Sequence, residues 1–386
     1  MNFKIPLVQD TIDSDDIESL ISWLRTNPRL TKGEVTEEFE KVWCEWLGVK
    51  NSIFVNSGSS ANLAAYYTLL VSKRLKNKKV ILPAVSWSTT VAPTIQFGFE
   101  PILCDCNMNN LGLDVDCLIR LVEEHDPGLI VTVNVLGFAN DYEKIQELCK
   151  LHNIILLEDS CESIGTVYNG RKTGTFGEIS TFSMYYGHHI STIEGGMICT
   201  DDDDLANIIK SIRCHGWDRD LPKNIQQEFR TTWGIDDFRA LYTFYYPGFN
   251  LRATDLQAYL GLQQMKKLDL IVAQRERNYL RYFEKIPHFF GNQNHDVISN
   301  FAYPILTKFP KEVASILAER QIETRPLICG SIALQPFWIE RFGHSHLKNA
   351  ETVHNHGMYL PNNFHITLSE IDAVIETLRE AEENLL

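Results

Sequence analysis

The chain has 386 residues, enough for a large apolar core and two domains. Its 36 basic and 50 acidic side chains leave a formal charge of −14. That balance argues against a general nucleic-acid or acidic-membrane surface, but not against a small anion held by backbone amides and a local arginine.

The opening MNFKIPLVQD has no apolar core followed by a cleavage site, and no apolar run reaches membrane-spanning length. A cytoplasmic protein is therefore expected. A first helix is predicted over 11–24, acidic at its start and apolar at Ile17, Leu20, Ile21 and Leu24, and a second over 35–46. Short apolar runs then alternate with helical patterns. The runs are VILP (80–83), PILCD (101–105), LIVTVNV (129–135), IILLED (154–159), ISTFSM (179–184) and GMICT (196–200). Helical patterns fill 60–76, 88–98, 114–124, 141–151 and 203–214. Alternation of this kind predicts an α/β fold with a mostly parallel sheet covered by helices. Asp201 to Asp204 open a helix, so capping explains that acidic run.

After residue 215 the stretch CHGWDRDLPKNIQQEF is polar and broken and reads as a long loop or lid. One long helix is predicted from Asp255 to about Ile286 as a connector. The remainder, with strand-like ISNFAYPIL and QIETRPL and helices at 311–320 and 369–384, reads as a smaller α+β domain. The expected division is 1–250 for a large domain with an N-terminal helical segment, and 251–386 for the connector and small domain.

The nine cysteines are scattered and odd in number, the pattern of reduced thiols. Cys104 and Cys106 are close, but two ligands do not make a zinc site, and no metal is expected. Four constellations bear on chemistry. Asn56 to Asn62 (NSGSSAN) places glycine and hydroxyl residues at a helix start, where exposed N–H groups cradle phosphate; an ordinary capped turn has the same sequence. Trp87 follows a strand end, where ligands of open α/β sheets sit, although from local sequence alone a part-buried core tryptophan is the simpler reading. Glu158 and Asp159 end a buried strand, where an aspartate can hold a protonated pyridine nitrogen; a helix cap is the alternative. The stretch from Ser183 to Gly196 carries adjacent histidines, of which His188 is the candidate base and His189 the candidate structural residue. His354 and His356 read as structural or substrate-lining rather than as a metal pair.

Together SGSSANL, VILPAVSWSTT, the strand ending at Asp159, GTFGEISTFS, EGGMICTDD, PGFNLRATDLQAYLGLQQ and ETRPL resemble the DegT/DnrJ/EryC1/StrS family of sugar aminotransferases. The resemblance runs from about residue 5 to the C-terminus. It implies the fold-type I pyridoxal-phosphate transferase fold: a large domain with a mixed, mostly parallel sheet flanked by helices, a smaller C-terminal α+β domain, and a homodimer with active sites at the interface. It assigns the phosphate of pyridoxal or pyridoxamine 5′-phosphate to Gly58, Ser59 and Ser183, ring stacking to Trp87, the ring nitrogen to Asp159, and a place under or beside the ring to Glu162. Asn250 would reach the phosphate of the neighbouring subunit. Arg252, in the same segment, would touch that phosphate or the substrate.

One departure stands out. The aminotransferases carry their cofactor-binding lysine five residues after the serine matching Ser183, and this chain has His188 there. No lysine occurs between Lys172 and Lys210. A histidine forms no covalent link to the cofactor, which must then be held by non-covalent contacts alone. The histidine form resembles the nucleotide-sugar 3-dehydratases. One kind of these carries a [2Fe–2S] cluster on a close cysteine group; here SIRCHGWDRDLP offers Cys214 alone, Cys161 and Cys199 do not complete the spacing, and no iron–sulfur cluster is expected. TFSMYYGHHISTIEGG, HGWDRDLP and NLRATDLQAYLG resemble the members that act on GDP-4-keto-6-deoxy-D-mannose. The implied reaction is C3 dehydration of the sugar, with L-glutamate regenerating the amine form of the cofactor and ammonia released. His215 and Arg219 would contact the sugar or its phosphates, although Arg219 reads equally as a surface loop arginine. Arg325 would bind the glutamate carboxylate or a phosphate, or form an inter-domain salt bridge. A nucleotide-sugar aminotransferase and a non-catalytic cofactor- or nucleotide-sugar-binding protein are the competing readings.

Overall fold

The structure, a computed structural model, describes residues 3–286 and 295–385. Its strands in chain order are β1 (Asn51–Val55), β2 (Lys79–Pro83), β3 (Glu100–Cys104), β4 (Leu129–Val133), β5 (Ile155–Asp159), β6 (Val167–Tyr168), β7 (Arg171–Lys172), β8 (Ile179–Ser183), β9 (Gly196–Thr200), β10 (His295–Val297), β11 (Tyr303–Leu306), β12 (Arg325–Pro326) and β13 (Gly357–Leu360). Seven of them form one sheet in the order β1-β9-β8-β5-β4-β2-β3. The neighbours from β8 to β3 pair in parallel, whereas β9 runs antiparallel to both β1 and β8. The apolar runs are strands because helices cover both faces: every residue of β4, β8 and β9 is buried.

This topology gathers one edge. The carboxyl ends of β2, β3, β4, β5 and β8 all open there, and β1, which runs with β8, ends there too. The helix Gly58–Val71 starts three residues beyond β1, at the same edge. A three-stranded sheet in the order β11-β13-β12 packs above it. Its Tyr303, Ile305, Met358 and Leu360 share a core with Tyr279 and Tyr282, with Ile371, Val374 and Leu378, and with Val133, Val135 and Leu136 at and just beyond the end of β4.

Two expectations needed correction. The polar stretch after residue 215 contains the helix Lys223–Trp233, closed by Gly234 at φ 61°. Its apolar stripe, Ile225, Phe229 and Trp233, repeats every four residues but is sparse among polar neighbours. The connector is two helices, Asp255–Met265 and Leu268–Lys285. At the break, Lys267 Nζ donates to the Thr11 carbonyl at 2.6 Å and to the carboxylates of Asp13 and Asp16 at 2.7 and 2.6 Å, which anchors the first helix, Ser14–Leu24. Asp202 caps the helix Asp203–Arg213 through the Leu205 amide at 2.9 Å.

Glu158 is a fold residue. Fully buried, it accepts from Asn134 Nδ2 and Ser160 Oγ at 3.0 Å, from the Phe176 amide at 2.9 Å and from the Gly174 amide. Its carboxylate pins the 174–177 turn beneath the sheet. Replacing Glu158 by leucine leaves these buried donors without an acceptor at about 1–3 kcal/mol each. Urea denaturation of Glu158→Leu is expected to show a loss of roughly 3 kcal/mol or more.

Candidate active site

At the gathered edge lies a cavity of about 400 Å³. One wall is the start of the helix Gly58–Val71. Ser57 caps it, its Oγ accepting from the Ser60 amide at 3.0 Å. The first amides of a helix have no partner within it, so those of Gly58 and Ser59 are free to face an anion. Gly58 has to be glycine, because a Cβ there would lie 2.5 Å from the Ser183 Cβ. That close approach brings the Ser183 hydroxyl, at the end of β8, against the helix start. Ser59 Oγ lies 3.0 Å from Thr89 Oγ1. Trp87, at the cap of the helix Ser88–Gln96, is 55% exposed and lines the cavity. It is not a core tryptophan.

Asp159 ends β5 inside this cavity, 4% exposed. Its Oδ2 accepts from Thr90 Oγ1 at 2.7 Å and Asn62 Nδ2 at 2.8 Å, and its Oδ1 from the Cys161 amide at 3.1 Å. Thr181 Oγ1 donates to Asn62 Oδ1 at 2.6 Å and so orients that amide toward the carboxylate. Glu162 also lines the cavity, and its Oε2 accepts from the Leu136 amide at 2.8 Å. Burial pushes its carboxyl up to about 8; the Leu136 amide opposes this, and Asp159 adds to it.

His188 sits in the loop between β8 and β9. The loop is closed at its base by the Met184 amide donating to the Gly195 carbonyl at 2.8 Å. The His188 ring faces the cavity beside Phe301, with centroids 5.2 Å apart. Its Nδ1 is buried without a hydrogen bond of regular geometry. Burial holds the imidazole down to about 4; the nearby Cys161 backbone works against this, and Arg275 lowers it further. At neutral pH the ring is therefore uncharged and has a lone pair to accept a proton. His189 turns the other way, fully buried, with Nε2 3.0 Å from the Ser299 carbonyl.

The remaining candidates lie elsewhere. Asn250 and Arg252 are bonded to each other, Arg252 Nε donating to Asn250 Oδ1 at 3.0 Å, and neither lines this chain's own cavity. Arg219 lies 3.6 Å over the Trp217 ring and donates to the Leu241 carbonyl, and the His215 ring packs beside Trp217 at 5.1 Å. Arg325 pairs with Glu323 at 2.6 Å in a smaller annex of about 120 Å³. The annex shares Val8, Phe301 and Tyr359 with the main cavity. His354 Nδ1 accepts from the Ser331 amide at 3.4 Å, and His356 meets the Thr307 carbonyl at 3.2 Å. Among the described residues no three metal-ligating side chains come together. Sequence reasoning gave no role to Asn62 and Thr90, the two side-chain donors to Asp159. Both stand in the first five residues of helices that begin with recognised motifs, and that placement was the available signal. Phe301, Ile328 and Tyr359 were also missed, because they reach the cavity from distant segments.

The profile of the DegT/DnrJ/EryC1/StrS aminotransferase family matches residues 10–379. The chain belongs to this family. It is 33% identical to a GDP-4-keto-6-deoxy-D-mannose 3-dehydratase of Escherichia coli O55:H7, over 97% of this chain and 99% of that one. It is 34% identical to a protein of the same description from Yersinia pseudotuberculosis, over 95% and 96% of the two chains. The solved structure of an E. coli GDP-4-keto-6-deoxy-D-mannose 3-dehydratase with bound hydrated PLP superposes with a TM-score of 0.88 at 31% identity, covering 98% of this chain and 100% of that one. The fold is accordingly the aminotransferase fold of this family, an α/β sheet flanked by helices.

The cavity fits pyridoxal phosphate on its own terms. It has an anion cradle that a Cβ at Gly58 would disrupt, an exposed indole, a buried carboxylate oriented by three donors, and a neutral imidazole on its wall. The Glu162 carboxyl gives a pH signature. Its folded pKa, about 8, lies above its ordinary value, 4.5, so between these the folded state holds more proton than the unfolded state. This group's contribution to stability is therefore neutral below about pH 4.5, falls as pH rises, and levels off above about 8. In cofactor-free protein, Glu162→Gln is expected to flatten the decline in melting temperature across that window.

Proposed function

We propose that this chain removes the C3 hydroxyl of a GDP-linked 4-keto-6-deoxyhexose, using pyridoxamine phosphate that L-glutamate regenerates. The observation that carries this reading is His188. It occupies the cavity position where the family's aminotransferases place lysine, and no lysine lines the cavity among the described residues. When bound, pyridoxamine phosphate supplies an amine that condenses with the C4 ketone and a ring that takes up the electron pair left when C4′ loses its proton, the pair that expels the C3 hydroxyl.

The chain's own residues do the rest. The Gly58 and Ser59 amides and the Ser183 hydroxyl hold the phosphate, with the helix dipole behind them. Trp87 covers one ring face. Asp159, fixed by Asn62 and Thr90, keeps a proton on the ring nitrogen. His188, neutral when the ligands enter, moves the proton at the C4′ carbon in both half-reactions. Glu162 lies beside the ring, and Arg325, in the annex, takes the glutamate carboxylate. His215 and Arg219 contact the sugar or its phosphates.

We further propose a cytoplasmic homodimer in which Asn250 and Arg252 serve the neighbour's cavity. Among the described residues no arginine or lysine lines the chain's own cavity, although its ligands carry several phosphates. The 233–244 segment, which leads to Asn250, exposes Trp233, Phe238 and Tyr242 at 70%, 84% and 74%. Such an apolar patch suits a partner surface. Among the described residues no helix is long and apolar enough to cross a membrane.

Three experiments test this. His188→Asn is expected to retain the cofactor while losing about 10²–10⁴-fold in both sugar dehydration and the glutamate half-reaction. Product formation and bound-cofactor absorbance are read side by side. Loss of the C3 oxygen with free ammonia supports dehydration, whereas an aminosugar product would overturn it. A panel of GDP-, CDP- and dTDP-linked 4-keto-6-deoxy sugars tests the base. For the dimer, His188→Asn and Asn250→Ala are each expected to be impaired alone. Co-expressed, they should recover activity, because one of the two sites in each mixed dimer carries neither change. Absence of recovery in verified mixed dimers would assign Asn250 to its own chain's site.

A further inference from the structure

Resting on that reading, the proton at C4′ is moved by a side chain attached only to its own loop. The loop must therefore be held from behind. Beneath it lies Arg275, on the helix Leu268–Lys285 and 2% exposed. Its Nη2 donates to the His188 carbonyl at 3.1 Å. Its Nη1 donates to the carbonyls of Asn362 at 2.6 Å and Phe301 at 2.9 Å, and approaches that of Asn300 at 3.5 Å. Among the described residues Arg275 makes no ion pair with a carboxylate, and burial lowers its pKa only to about 10, so it stays charged. A buried cation answered only by carbonyl dipoles is an expensive way to join segments that apolar packing would join as well.

We propose that Arg275 is the positioning residue of the catalytic base, fixing the His188 backbone and the Phe301 wall of the cavity with one planar fork and presenting a positive charge behind the imidazole. The reach of the fork extends further. Asn362 Nδ2 returns a bond to the Arg275 carbonyl at 3.1 Å and another to Asn300 Oδ1 at 3.0 Å, and Asn300 Nδ2 donates to the Leu136 carbonyl at 2.7 Å. Leu136 in turn gives its amide to Glu162. One guanidinium thus sets His188 and, through two asparagines, the opposite carboxyl. Lysine, a point charge on a flexible stem, cannot reproduce the fork.

The charge acts in a defined direction. The groups facing His188 are Arg275 from the helix, Tyr185, His189 and Glu194 of its own loop, Asp159, Cys161 and Glu162 from β5 and the turn after it, and Tyr359 from β13. Arg275 is the cation among them. Removing it favours the protonated imidazole, so the His188 pKa rises.

Arg275→Lys and Arg275→Gln are compared with the parent holoenzyme. Both are expected to lower kcat about 10–100-fold with the KM of the nucleotide sugar changed less than about threefold, since a misplaced base slows chemistry more than binding. Arg275→Gln should also move the acid limb of the rate profile to higher pH, whereas Arg275→Lys leaves it in place. In cofactor-free protein, the His188 ring resonance, assigned by its loss in His188→Asn, should titrate at higher pH in Arg275→Gln. Melting curves give the folded fraction for each variant. Should Arg275→Gln not fold, the kcat–KM split in Arg275→Lys decides. A folded, cofactor-loaded variant with parental kcat overturns the proposal, as does a kcat loss that only follows the folded fraction. The glutamate half-reaction needs the same proton transfer, so it reports on Arg275 even if the sugar assignment fails.

Discussion

A carboxylate buried at the end of a central strand is tolerable only if its lone pairs are answered, and the active-site edge is organised around answering those of Asp159. The answers come from separate elements. Asn62 rises from the helix after β1, Thr90 from the helix after β2, and the Cys161 amide from the turn after β5. Thr181, on the neighbouring strand β8, sets the Asn62 amide the right way round. The same two helices carry Gly58 with Ser59 and Trp87 at their starts. Satisfying one buried charge therefore also fixes the anion cradle and the aromatic cover.

The two acids at the end of β5 divide the labour by the pleat. Successive side chains point to opposite faces, so Asp159 looks into the cavity while Glu158 looks beneath the sheet. Below, Glu158 collects amides of the 174–177 turn. Above, a third carboxyl, Glu162, has too few donors to remain charged and is held near 8. Burial keeps His188 neutral, and Arg275, standing behind it where a carboxylate would raise its pKa, lowers that pKa further. Glu162 and His188 thus both face the cavity uncharged at neutral pH, one as an acid and one as a base, chiefly because both are buried.

Much of this was legible in the sequence where a buried segment writes a continuous pattern. Six of the seven strands of the main sheet, all but β1, coincide with the short apolar runs read from the sequence, because strands covered on both faces tolerate little else. His188 was legible because its offset from Ser183 is fixed along one loop. Trp87 was ambiguous locally, since a tryptophan after a strand reads the same whether it faces a core or a cavity; its 55% exposure resolves that. The helix Lys223–Trp233 escaped because its apolar stripe is narrow and lies among charges. The break at Lys266 and Lys267 escaped because it depends on the remote partners Thr11, Asp13 and Asp16. Phe301, Ile328, Tyr359 and the carbonyls around Arg275 were beyond reach for the same reason: nothing local distinguishes them until the chain has folded.

The contact between Gly58 and Ser183 constrains how the sequence can change with time. A side chain at 58 collides with the Cβ of 183, while serine at 183 is accommodated only because 58 has none. Enlargement at either position is therefore penalised in the background of the other, and a tolerated exchange would need both to change together. The two residues are 125 positions apart, yet in evolutionary terms they form one epistatic unit. Drift that altered the cradle by single steps would have to pass through an intermediate in which the helix start no longer meets the strand end.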